Sequence, residues 1–87
     1  MKKFTYTIQD ELGLHARPAG VLSKEAKKFK CAVTLTNTAT GKSTDAKRIL
    51  GVMGLCVVHG TAIELIFDGE DEQAAYDCIT TYMKENV

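Results

Sequence analysis

The sequence predicts an α+β fold, an open-faced β-sandwich in which helices cover one face of a four-stranded antiparallel sheet. Three observations predict it. Apolar and polar residues alternate in the strand segments, apolar residues recur every three or four positions in the helical segments, and the two kinds of segment follow the order β-α-β-β-α-β-α. The 87 residues contain no internal repeat or linker, so we expect a single domain over residues 1–87.

Each predicted element follows from its local pattern. The first six elements are expected at residues 2–9, 16–28, 31–36, 42–46, 48–55 and 61–67, and a final helix follows the turn at residues 68–69. The side chains expected to face the core are Phe4, Tyr6, Ile8, Ala19, Leu22, Ala26, Phe29, Val33, Leu35, Ile63, Leu65, Phe67, Ala75, Cys78, Ile79, Tyr82 and Met83. The third strand is polar enough for the edge of a sheet.

Composition excludes several classes of protein. The formal net charge is zero, which argues against a nucleic-acid-binding protein. Membrane insertion is not expected, because no apolar run approaches the roughly 20 residues of a membrane span. The three cysteines, Cys31, Cys56 and Cys78, have no metal-ligand spacing, and each is expected to fill a small apolar slot. We therefore expect a cytoplasmic protein without a disulfide or a metal.

Residues 13–19, Gly-Leu-His-Ala-Arg-Pro-Ala, predict an anion site at the start of a helix. Pro18 suits a first helical turn, where its missing N–H costs little. His15 then lies at or just before the helix cap, facing the unpaired amides of Ala16 and Arg17 and the positive end of the helix dipole. The Arg17 guanidinium is permanently charged and can bond two phosphate oxygens at once.

This environment also predicts which form of His15 is available. Nearby positive charge disfavours the imidazolium, so we expect the nucleophilic free base near neutral pH. Gly13 would allow the backbone to approach an incoming phosphate. Taken singly, such a histidine can be a surface residue and such an arginine can be merely solvated, so the physical pattern alone leaves these alternatives open.

The heptapeptide closely resembles the active-site signature of HPr, the histidine-containing phosphocarrier family of the bacterial phosphoenolpyruvate-dependent sugar phosphotransferase system. Residues 46–55 resemble the second motif of the family, and residues 69–74 resemble the start of its last helix. The resemblance implies sheet order 1-4-2-3, phosphorylation of His15 on Nδ1, and charge stabilisation by Arg17. It also implies a carrier without cofactors, which is not a stand-alone enzyme, with enzyme I and sugar-specific acceptor proteins as partners.

The resemblance further implies a docking patch on the second helix, which we define as Lys24, Lys27, Lys47, Ile49, Leu50 and Met53. The apolar members of this docking patch would contact acidic partners within a rim of lysines. The alternative is that Ile49, Leu50 and Met53 pack into the core and that the lysines are simply solvated.

One position departs from many relatives. Arg48 stands where they carry a regulatory serine, so a serine kinase has no acceptor there. We expect Leu12 to be a packing residue and His59 to be a loop residue, whereas Asp10 and Glu11 are candidates for orienting the His15 ring.

Two other functions remain open at this stage. The chain could be a regulatory paralogue of the family, acting by protein binding in a nitrogen or signalling branch. It could also be a small ligand-binding α+β domain in which His15 is incidental. We expect a monomer, although the sequence does not exclude a dimer formed by strand exchange.

Overall fold

The computed structural model describes residues 1–14 and 16–87, and it contains the predicted elements in the predicted order. They are β1 (Lys2–Thr7), α1 (Ala16–Lys27), β2 (Ala32–Asn37), β3 (Lys42–Asp45), α2 (Ile49–Gly54), β4 (Ala62–Asp68) and α3 (Glu72–Asn86). Most boundaries fall within one or two residues of the sequence prediction. None of the described helices is both long enough and apolar enough to cross a membrane.

The four strands form one sheet in the order β1-β4-β2-β3. Every neighbouring pair is antiparallel, and the register places Leu65 of β4 between Phe4 of β1 and Leu35 of β2. This confirms the fold class and the strand order that the family resemblance implied.

The core lies between one face of the sheet and the three helices. Because successive strand residues point to opposite faces, Val33, Leu35, Ile63, Leu65 and Phe67 are buried together on the covered face. The helices contribute the buried residues Ala19, Leu22, Ala26, Val52, Ala75, Ile79 and Met83. The open face remains polar or half-buried, as expected for an antiparallel sheet with one wet side.

Two sequence predictions about buried residues were wrong. Leu12 was expected to pack, but 71% of its surface is exposed. Cys56 is also exposed, in the loop after α2, with a φ of +53°. Both residues lie outside regular elements, where no periodic pattern indicates the direction of a side chain. Among the other cysteines, Cys31 is buried as expected and Cys78 is half-buried.

The segment before α1 is hydrogen-bonded to two distant parts of the chain. The Asp10 N–H donates to the Val87 carbonyl at 2.9 Å, and the Leu14 N–H donates to the Val57 carbonyl at 2.9 Å. Gly13 has a φ of +69°, and a Cβ at this position would overlap the backbone of Val57 and Val58. The glycine therefore permits close contact with the loop after α2, and the start of α1 is fixed by this contact.

The α2 helix is held against α1 and β3 by two close contacts. The Ser23 hydroxyl on α1 donates to the Lys47 carbonyl at 2.7 Å. A Cβ on Gly51 would overlap the Thr44 hydroxyl, so the glycine lets α2 lie directly on β3. Among the α2 residues only Val52 is buried, and the opposite side of this short helix is exposed.

Candidate functional site

The candidate phosphoryl acceptor, His15, lies outside the described residues, but the residues on both sides of it are placed. Leu14 is buried, and α1 begins at Ala16, as predicted. Pro18 is the third residue of α1, where its missing N–H breaks no bond within the helix. The amides of Ala16 and Arg17 belong to the first turn, whose donors have no acceptors inside a helix.

The Arg17 side chain is exposed at the edge of a small pocket. This pocket has a volume of about 200 Å³ and is lined by Asp10, Arg17, Pro18, Tyr82 and Asn86. Burial, together with the Asp10 carboxylate, raises the pKa of Tyr82, so its phenol stays protonated. The pocket thus places a guanidinium, a phenol and an amide beside the start of α1.

No sequence pattern indicated that the end of α3 would line this pocket. Tyr82 was predicted as a core residue, and it is half-buried and packs against the edge of the core. It lines the pocket because the end of the chain is bonded to the segment before α1, through the Val87 carbonyl. Long-range hydrogen bonds of this kind leave no local sequence pattern.

The two acidic residues before the heptapeptide have different surroundings. The Asp10 carboxylate accepts a hydrogen bond from the Leu12 N–H at 2.9 Å, closing a local turn. Glu11 is exposed in the same turn. Asp10 therefore stabilises the turn, and it also lines the pocket together with Arg17. That it orients the His15 ring stays a prediction.

The apolar members of the docking patch are exposed. Leu50 exposes 82% of its surface, and Ile49 and Met53 are also exposed. Core packing, the alternative considered for these three residues, is therefore wrong. Lys24 and Lys27 are exposed on α1, whereas Lys47 is half-buried in the loop before α2.

Arg48 lies in a basic cleft beside this helix, which we call the Arg48 cleft. Its volume is about 470 Å³, and it is lined by Lys27, Thr44, Lys47, Arg48, Ile49, Leu50 and Gly51. Three of the lining side chains are cationic and none is acidic, so the Arg48 cleft favours an anionic group next to an apolar one.

The distribution of charge along the chain is strongly uneven, although the net charge is zero. Residues 16–54, here the basic segment, contain eight Lys or Arg residues and two Asp or Glu residues. Residues 55–87, here the acidic segment, contain one Lys or Arg residue and seven Asp or Glu residues. The net charge of the whole chain does not show this difference, whereas a count of charged residues in each segment does.

The described residues contain no group of three or more His, Cys, Asp or Glu side chains placed to hold a metal ion. His59 is exposed in the loop between α2 and β4, as predicted. Near α1, the described residues place the Arg17 guanidinium and first-turn amides where they can bind an anion.

Comparisons with known proteins agree with this geometry. The family model described as the phosphorylation site of the PTS HPr component matches residues 2–85. The phosphocarrier protein HPr of Lysinibacillus sphaericus is 39% identical, with 98% of this chain and 94% of the relative covered.

Two solved structures have the same fold. A histidine-containing phosphocarrier protein of Mycoplasma has a TM-score of 0.92 and is 39% identical, with 97% of this chain and 93% of that chain covered. Crh of Bacillus subtilis, described as a catabolite repression protein forming a dimer with a swapped domain, has a TM-score of 0.75. It is 40% identical, with 94% of this chain and 92% of that chain covered.

The match over nearly the whole chain, the strand order and the helix that starts directly after His15 lead to one conclusion: this chain belongs to the HPr family of phosphocarrier proteins of the phosphotransferase system.

Proposed function

We propose that this chain relays a phosphoryl group from phosphorylated enzyme I, through phosphohistidine at His15, to sugar-specific acceptor proteins. The observation that carries the proposal is that α1 starts directly after His15, with an exposed Arg17 in its first turn. This arrangement supplies backbone donors and a guanidinium at the point where a phosphoryl group would be attached.

The proposed step is a transfer between two nitrogen atoms. An imidazole nitrogen of His15 attacks the phosphorus, a P–N bond forms, and the P–N bond to the donor histidine breaks with its electron pair returning to the donor ring. By resemblance to the family, the nitrogen of His15 is Nδ1. Arg17 and the first-turn amides of Ala16 and Arg17 would stabilise the charge on the phosphoryl oxygens, and transfer of this kind depends mainly on positioning and electrostatics.

The docking patch would receive both the donor and the acceptor proteins. Its apolar residues, Ile49, Leu50 and Met53, are exposed on α2, and its three lysines have no ion pair within the described part of the chain. A surface of this composition suits partners that present carboxylates around an apolar contact. Because a single patch would serve successive partners, each complex must be short-lived.

Arg48 should make the chain insensitive to a serine kinase acting at that position. An arginine has no hydroxyl to accept phosphate, and we do not transfer the role to Ser43 or Thr44, which lie in β3. Incubation with ATP and such a kinase should leave the mass of the chain unchanged, and an Arg48→Ser variant tests whether the surrounding surface still permits recognition.

The central experiment is incubation with phosphoenolpyruvate and enzyme I, followed by mass spectrometry under neutral conditions. We expect one phosphoryl group that is lost in acid. It should be lacking in His15→Ala and present in the matched control His59→Ala, because His59 is an exposed loop residue. An unmodified wild-type chain would reject the carrier function and favour a regulatory paralogue that acts by binding alone.

We also propose that the protein works as a cytoplasmic monomer. The sheet contains β1 paired with β4 of the same chain, so the fold needs no exchanged strand. Sedimentation at micromolar concentration should give the mass of one chain. A dimer, as described for the Crh of Bacillus subtilis, would contradict this part of the proposal.

A further inference from the structure

The Arg48 cleft has the size of a site for a small molecule. Its volume of about 470 Å³ falls in the range of roughly 300–1,000 Å³ that is typical of small-molecule pockets. The end of α1, the end of β3, the loop that follows β3 and the start of α2 form its walls. The pocket beside Arg17 is smaller, at about 200 Å³, and shares no lining residue with the Arg48 cleft, so the two sites are separate.

Hydrogen bonds fix the backbone that carries two of the cations in the cleft. The Lys47 N–H donates to the Asp45 carboxylate at 2.9 Å, and the Arg48 N–H donates to the Asp45 carbonyl at 3.0 Å. The Lys47 carbonyl accepts the hydrogen bond from the Ser23 hydroxyl, which holds the loop against α1. The cleft is therefore formed before a ligand binds, and little conformational entropy of the backbone is lost on binding.

The positive charges that line the cleft are not neutralised within the described part of the chain. None of the three lining cations takes part in an ion pair there. The two acidic residues of the basic segment are bonded elsewhere, because Glu25 pairs with Lys28 at 3.1 Å and Asp45 bonds the Lys47 backbone. The three cations repel one another, so an anion that lies between them is attracted to all three.

We propose that the Arg48 cleft binds a small phosphorylated organic acid, which is a phosphate monoester whose carbon skeleton also carries a carboxylate. Such a ligand has about three negative charges at pH 7, which match the three lining cations. Arg48 can bond two phosphate oxygens at once, whereas Lys27 and Lys47 act as point charges. Ile49 and Leu50 form the apolar part of the wall and would contact the carbon skeleton.

Occupation of the cleft would interfere with the docking patch. Four of the lining residues belong to both surfaces, namely Lys27, Lys47, Ile49 and Leu50. A ligand that covers them competes with a protein that binds them. Phosphorylated organic acids at high concentration would thus slow the phosphorylation of this chain by enzyme I without contacting the phosphoryl site. This consequence rests on the proposed function, whereas binding in the cleft does not.

The first test measures binding of 3-phosphoglycerate, which carries both proposed anionic groups. Calorimetric titration at low salt should give a Kd of about 0.1–1 mM. Amide chemical shifts in NMR spectra should change mainly at residues 44–51. Glycerol 3-phosphate lacks the carboxylate and inorganic phosphate also lacks the carbon skeleton, so they should bind about threefold and about tenfold more weakly.

The second test removes one charge from the cleft. Arg48→Gln should raise the Kd for 3-phosphoglycerate by about tenfold, because the bidentate contact to phosphate is lost. Lys42→Gln is the matched control, since it removes the same charge from an exposed position on β3 outside the cleft, and its Kd should stay within about twofold. Equal weakening by both variants would show attraction to the basic segment as a whole and would overturn the cleft as a site. Melting followed by circular dichroism should be the same for both variants.

The two proposals fail in different ways. A chain that enzyme I phosphorylates, but that binds 3-phosphoglycerate no more tightly than inorganic phosphate, would overturn the cleft site alone. A chain that binds 3-phosphoglycerate in the cleft, but that enzyme I does not phosphorylate, would overturn the proposed function alone. Chemical shift changes centred on residues 16–18 would place the anion at the start of α1 and would also reject the cleft.

Discussion

The basic segment and the acidic segment differ in how many of their charged side chains are bonded within the chain. In the acidic segment, several carboxylates are bonded within the chain. Glu72 pairs with the N-terminal amine at 2.6 Å, and Asp71 accepts hydrogen bonds from the backbone N–H groups of Lys30 and Cys31 at 2.7 and 2.8 Å. In the basic segment, the side chains of Arg17, Lys24, Lys27, Lys47 and Arg48 make no ion pair or side-chain hydrogen bond within the described part of the chain.

On the proposed function, this difference separates residues that stabilise the fold from residues that would contact other molecules. Exposed cations without a partner add nothing to folding through pairing, and they repel one another. Their concentration around the start of α1 and the Arg48 cleft is therefore best explained by an anionic ligand or partner. Asp71 and Glu72, in contrast, bond the loop before β2, the turn before α3 and the N-terminal amine.

The largest effect is expected for Arg17→Ala. On the proposed role of Arg17, this variant lacks the charge that would stabilise the phosphoryl oxygens, and transfer should slow by about 10²–10³-fold. The melting temperature should hardly change, because the side chain is exposed. Rapid-quench phosphorylation and thermal unfolding measure the two quantities. Substantial unfolding of the variant would instead show that Arg17 stabilises the fold, as Asp71 and Glu72 do in the acidic segment.

Charge reversal compares the two segments directly. We consider a triple variant in which Glu replaces Lys24, Lys27 and Arg48. Its association with phosphorylated enzyme I should be about 10–100-fold slower at low salt, because electrostatic attraction between opposite charges is lost. The matched control changes Glu70, Asp77 and Glu85, all exposed in the acidic segment, to Lys and should leave the rate within about twofold. If both triple variants slowed association equally, enzyme I would not bind preferentially to the basic segment.

Gly13→Ala tests how much the close contact between Gly13 and the loop after α2 contributes to stability. The new Cβ would overlap the backbone of Val57 and Val58, and φ is +69°, so the free energy of unfolding should fall by about 1–3 kcal/mol. Denaturant titration measures this. Gly54→Ala is the control, since nothing lies within 4 Å of its new Cβ, and a similar loss there would refute the explanation.

The smallest effect is expected for Asp71→Asn, and it depends on pH. The hydrogen bond from the Lys30 N–H, opposed by burial and aided by the Cys31 N–H, lowers the pKa of Asp71. A carboxyl whose pKa is lowered on folding adds stability above its unfolded value of about 3.9, and this stability is lost as pH falls through the folded pKa.

The variant should therefore melt at a lower temperature than the wild type at pH 7, and the difference should shrink below about pH 4 as the wild-type carboxyl is protonated. Melting curves by circular dichroism between pH 2 and 7 measure it. A difference independent of pH would show that the ionised form is not what stabilises this loop. Phosphorylation at pH 7 should be unaffected, since Asp71 lies in the acidic segment.

The sequence alone was sufficient for the elements, their order and the heptapeptide. Strand alternation such as Ile63, Leu65 and Phe67 reports burial directly, because strand geometry has a period of two. The signature around His15 and Arg17 was equally visible, because its residues are contiguous. The family match over residues 2–85 confirms the resemblance on which the carrier function was predicted.

Only the tertiary structure determined the surroundings of these residues. The exposure of Leu12 and Cys56, the place of Tyr82 beside Arg17, and the Arg48 cleft all depend on contacts between segments far apart in the chain. A local pattern describes one element and its periodicity, whereas a loop side chain turns inward or outward according to which distant backbone lies against it.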